Sequence, residues 1–132
     1  MHPRTEIRFE IEDILKDTTL DVYTSRVFPL DSVDDLPCVI IYTKDEQSQS
    51  ISWHEDERVL DIIIECYSNQ SDNLDNDLDD MAEIVENAII LNKPNLLLTS
   101  TSMQMDAFGE TPVGTLILNY TTKYLVNKGQ LL

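Results

Sequence analysis

Any chemistry in this 132-residue chain has to be sought first among its 25 Asp and Glu residues. Asp75, Asp77, Asp79, Glu83 and Glu86 fall at the first, third, fifth, ninth and twelfth positions of a calcium-loop pattern. That pattern needs glycine at its sixth position, where Asp80 stands instead. The same stretch carries an apolar stripe at helical spacing through Leu78, Met81 and Val85, and a helix cannot also be that loop. The run therefore reads as a solvated acidic helix face. Clustered carboxylates repel unless neutralised, so a loosely held Mg²⁺ or Ca²⁺ between neighbouring subunits is the cation role left to them. No other cofactor is expected.

The two histidines offer little catalytic promise. His54 follows Trp53 in a polar stretch, with no second histidine nearby and no cysteine pair at ligand spacing. It reads as an exposed loop residue, and His2, ahead of Pro3, reads as flanking a helix start. Cys38 and Cys66 each sit in an apolar run, which predicts free, buried thiols rather than a disulfide. There is no glycine-rich phosphate loop, nucleophile elbow or Cys-X-X-Cys, and only three glycines are present. Among the carboxylates, Asp61 comes nearest to an acid–base candidate, yet alternation puts it on the outer face of a strand. The expectation is a protein that is not an enzyme.

Binding residues are better marked. Trp53 stands alone in a polar segment; it either folds back onto the domain or anchors a partner, as Trp often does at interfaces. Arg4, Arg8, Arg26 and Arg58 stand out because Lys and Arg number nine in all. They pair with acids of their own chain or contact an acidic surface on another copy. Those four arginines and Trp53 are the candidate interface residues, with Arg26 and Arg58 expected to meet acids of a neighbouring subunit.

The formal net charge of −16 excludes more than it identifies. Phosphate backbones and anionic membrane surfaces attract Lys and Arg, so neither direct nucleic-acid binding nor membrane binding is expected. No apolar run approaches the length needed to span a bilayer. The N-terminus lacks the apolar stretch of a secretory signal, which predicts an intracellular origin.

The elements that must position these residues can be read from periodicity. Pro3 to about Lys16 reads as a helix with a stripe of Ile7, Ile11, Ile14 and Leu15. Asp21–Val27 and Leu36–Thr43 read as strands, and Lys44 to about Asp56, rich in Ser, Gln and acid, as a long surface loop. Arg58–Tyr67 alternates, with Leu60, Ile62, Ile64 and Cys66 on one face and the other face largely in water. A second helix follows, capped by Ser71 or Asp72, striped by Leu74, Leu78, Met81, Val85, Ala88 and Ile89, and stopped by Pro94. Leu96–Asp106 and Gly114–Val126 read as a strand pair joined through Ala107–Val113. The expectation is one α+β domain over residues 1–132. It would be a single mixed or antiparallel sheet of about five strands with two helices packed on one face.

Several of these segments resemble phage minor tail protein U. His2-Pro3-Arg4-Thr5-Glu6-Ile7-Arg8 with Ile11 and Leu15 looks like the opening of that family. Thr19, then Val22-Tyr23-Thr24-Ser25-Arg26-Val27 and Asp35-Leu36-Pro37-Cys38-Val39-Ile40-Ile41-Tyr42, are similar to its first two strands. Leu60–Glu65 resembles its central strand, Asp72-Asn73-Leu74-Asp75 the start of its second helix, and Gly114–Tyr124 its last strand. The acidic run Asp75–Asp80 and the Ser/Gln-rich segment follow no pattern of the family.

The resemblance implies a tail terminator with an α/β sandwich fold and no enzymatic role. Such a protein forms a hexameric ring that caps the head-proximal end of the tail tube. It stops tube polymerisation and presents a surface for head–tail joining. Its partners are then its own copies, the major tail tube protein and a head–tail completion protein. Its location is the host cytoplasm during assembly and the virion tail afterwards. Two rival readings come from other classes. A nucleic-acid mimic that blocks a host DNA-binding enzyme would explain the charge but not the resemblance. A small acid–base enzyme would need a deep pocket holding a carboxylate of raised pKa.

Overall fold

The computed structural model describes residues 1–24, 37–69, 72–108 and 111–128. Two helices and five strands follow in the order α1 (Pro3–Lys16), β1 (Val22–Tyr23), β2 (Cys38–Ser52), β3 (Glu55–Ser68), α2 (Leu74–Asn92), β4 (Leu97–Phe108) and β5 (Thr111–Asn127). The strands form one sheet in the order β1-β2-β3-β5-β4, with β1 parallel to β2 and every other pair antiparallel. The fold is α+β with a mixed sheet, as the periodicity predicts.

Both helices lie on the same face because one set of alternating residues needs covering. Val39 and Ile41 of β2, Leu60, Ile62, Ile64 and Cys66 of β3, and Leu116, Leu118 and Tyr120 of β5 form one buried cluster. Ile11 and Leu15 of α1 and Leu78, Met81, Val85 and Ile89 of α2 complete it. Gly114 lies where α2 crosses β5: a Cβ there would come within 2.8 Å of Leu78 Cδ1 and 3.0 Å of Leu74 Cγ. Absence of a side chain thus lets the first turn of α2 approach the sheet.

The opposite face is less watery than alternation implies. Ile40 and Ile63 are buried there. Beside them Glu65 accepts a hydrogen bond from Tyr42 Oη at 2.7 Å and another from Tyr67 Oη. Cys38 pairs with Tyr67 across the β2–β3 ladder while Cys66 pairs with Val39, so the two thiols point to opposite faces. Both are free and buried.

The largest departure from expectation is Lys44–Asp56, which is not a loop. β2 continues through it to Ser52 and turns at Trp53-His54 into β3, making a long hairpin. Its arms lack an apolar alternation because neither helix covers the sheet there, and most β2 residues from Lys44 to Ile51 are exposed. The ladder to β3, itself paired to β5, holds the arm through backbone hydrogen bonds rather than burial. The turn also lacks the Gly or Asn that usually betrays a two-residue hairpin. The cap of α2 differs too. Asn73 occupies the position and makes no side-chain hydrogen bond, while Ser71 lies outside the described residues. β4 and β5 extend further toward each other than periodicity predicts, reaching Phe108 and Thr111. The end of the expected first strand, from Ser25 to Val27, lies outside the described residues.

Candidate interaction surfaces

Where the sheet projects past the N-terminus of α1, its helix-side face changes from apolar to ionic. A bulge makes this possible. Between Thr43 and Glu46 the register of β2 advances by one more residue than that of β3, so Glu46 faces the helix side although its parity with Thr43 is wrong. Glu46 Oε2 then lies 2.6 Å from Arg4 Nη1 of α1 and 3.5 Å from Arg58 Nη1 of β3. Its other oxygen accepts the hydroxyl of Tyr124 from β5. Arg58 also lies 3.7 Å from Asp56, which is 3.3 Å from Lys128 Nζ. Arg8 Nη1 donates to Thr43 Oγ1 at 3.0 Å.

Arg4 and Arg58 are thus held by acids of their own chain, and Arg8 by a threonine. Arg58 Nε is buried without a hydrogen-bond partner among the described residues. Arg26 lies outside them. Sequence reasoning missed Glu46 and Tyr124 as the residues that gather these arginines. Only the bulge aims Glu46 inward, and nothing local in the sequence announces it. His2 caps α1 at the edge of this network, its Nδ1 accepting the Arg4 N–H at 3.1 Å. Burial, assisted by the charge of Arg4, holds its imidazole below the ordinary value of 6.5.

At the hairpin tip Trp53 does not fold back. It is 88% exposed and meets His54 edge-on, with ring centroids 5.2 Å apart. Ile51 beside it is also exposed, as is Leu125 on β5. Among the described residues, none covers this apolar knob.

A second exposed apolar region lies at the C-terminus of α2. The helix buries Ile89 but leaves Ile90 and Leu91 in solvent. Ile89 and Ile90, with Pro94, Leu97, Leu98 and Tyr120, border a cleft of ≈ 320 Å³ whose polar wall is Glu86. β4 continues from it as an edge strand that bears no charged residue from Leu97 to Met105. Met103 and Met105 are exposed on its helix side. Sequence signals for this surface existed in the unbroken runs Ile89-Ile90-Leu91 and Leu96-Leu97-Leu98, too apolar for an amphipathic end.

The acidic run behaves as a helix face. Asp75 to Glu86 belong to α2, so they do not form a calcium loop. Among the described residues no group of three His, Cys, Asp or Glu side chains is arranged to hold a metal ion. Shallow polar depressions around Asp72, Asn73, Asn76 and Asp77 mark the start of the helix. Burial pushes the Cys66 thiol up to about 12, with Cys38, Glu86 and Glu65 adding to it, so this cysteine is a packing group and not a nucleophile. Among the described residues no helix is long and apolar enough to cross a membrane.

Among the described residues, the exposed apolar groups thus form two surfaces, the hairpin tip and the α2–β4 cleft. A comparison with curated proteins gives no match. A family model described as Phage minor tail protein U matches residues 2–109, which span α1 to the end of β4. The chain therefore belongs to the phage minor tail protein U family, a family of structural proteins of the phage tail.

Proposed function

We propose that this protein is a tail terminator. Six copies would form a ring that caps the head-proximal end of the tail tube, stops its polymerisation and presents the surface for head–tail joining. Family membership over residues 2–109 carries the reading. The partners it implies are further copies of the chain, the major tail tube protein and a head–tail completion protein. The work is done in the host cytoplasm during assembly and in the virion tail afterwards. It needs binding surfaces and no catalytic step.

Two physical features support an assembling protein. Exposed apolar residues cluster at the hairpin tip and at the end of α2, two separate places, so contact between copies can be heterologous and close into a ring. A net charge of −16 on each copy opposes association until a tube end or cations offset the repulsion. A loosely held Mg²⁺ or Ca²⁺ between subunits would serve that purpose.

Tube protein polymerised with and without this chain, and viewed by electron microscopy, tests the proposal. Tubes of limited length with ring density at one end are expected. A tube-length distribution unchanged by the chain, with bare ends, overturns it.

A further inference from the structure

From the two unpartnered apolar features we infer that Trp53 of one copy seats in the cleft between the C-terminus of α2 and β4 of the next. This rests on the ring-forming reading and names the contact that would hold the ring. The knob cannot reach its own cleft. Tip and cleft are separated by the β5 segment from Thr121 to Asn127, about 20 Å at the ordinary rise per residue. That segment is fixed in the ladder, so the contact must be made by a second molecule.

Chemistry and charge select this occupant. Trp presents a large apolar ring with a single N–H donor. The cleft is apolar with a single carboxylate, Glu86, which can accept that donor or face the adjacent His54. Helix α2 carries six acids, Asp75, Asp77, Asp79, Asp80, Glu83 and Glu86, and no Lys or Arg from Leu74 to Asn92. Two copies meeting α2 to α2 would therefore oppose like charges. The hairpin end, by contrast, mixes Lys44, Arg58, Lys123 and Lys128 with Asp45, Glu46, Glu55, Asp56 and Glu57, and Arg58 and Lys128 lie against Glu46 and Asp56 of their own chain. Its charges nearly cancel, so it opposes the acidic helix far less than a second α2 would. The uncharged edge of β4 borders the cleft and leaves room for the hairpin arm beside it.

Trp53 is the only tryptophan, so its fluorescence reports this contact alone. Under conditions where light scattering shows the wild type assembling, its emission should shift to the blue and its acrylamide quenching fall several-fold. Trp53→Ala and Ile90→Asp, both at exposed positions, should each weaken self-association by about 30-fold, as loss of an interface anchor does. Mixing the two variants should restore one contact per pair. The Ile90→Asp chain supplies the only tryptophan and the Trp53→Ala chain the intact cleft, so the blue shift should return without closed rings.

Rings seen by microscopy with Trp53 still fully quenchable would overturn this contact and leave the ring. A protected tryptophan with no recovery on mixing would overturn the cleft as its seat. No association with cations or on a tube template would overturn ring and contact together.

Discussion

Glu46 joins three elements through one carboxylate, taking Arg4 from α1, Tyr124 from β5 and the approach of Arg58 from β3. Its side chain is 12% exposed, so solvent screens these contacts only in part. Glu46→Gln should cost about 1–3 kcal/mol in chemical denaturation, since it leaves Arg58 with Asp56 alone. A double-mutant cycle with Tyr124→Phe should show coupling between the two sites. At the other end of Arg4, His2 supplies a pH response. Its folded pKa lies below the unfolded value near 6.5, because burial and Arg4 disfavour the imidazolium. The cap is therefore complete above that value and is lost as pH falls through the folded one. His2→Asn, which caps at any pH, should gain on the wild type when stability at pH 5 is compared with pH 7.5.

The contact between α2 and β5 depends on Gly114, whose missing Cβ admits Leu74 and Leu78. Gly114→Val should destabilise by about 1–3 kcal/mol, with Gly114→Ala costing less because the Leu78 methyl can yield slightly. Thermal unfolding of the two variants side by side checks the order. The elements themselves were legible in unequal degree. α1, α2, β3 and β5 each bury one face, so a period of 3.6 or 2 is written into their sequence. The outer half of β2 buries neither face and so carries no period. Its strand character comes from the ladder to Glu55–Leu60, which no local window of sequence contains.

At the scale of the whole molecule, repulsion and apolar contact make opposite predictions about salt. An assembly driven by Trp53 and the α2–β4 cleft has little attraction for salt to screen, while the charge of −16 per copy opposes it. Added NaCl should therefore strengthen self-association, measured by light scattering across concentration. A ring held mainly by Arg26 and Arg58 on a neighbour's acids would weaken instead. Mg²⁺ acting beyond NaCl at matched ionic strength would point to cations held between subunits.

Local periodicity suffices for the class of fold, the stripes of the two helices, the central strand and the buried thiols, because each follows from which face of a local element avoids water. The sequence also carried the family resemblance, which the match over residues 2–109 establishes. Tertiary structure alone decided that Lys44–Asp56 is a hairpin arm, that a bulge turns Glu46 toward Arg4 and Arg58, and that Trp53 projects instead of folding back. It decided as well that Ile90, Leu97 and Leu98 meet at one cleft. These features depend on register and on pairing between segments distant in the chain, and neither leaves a mark in local periodicity.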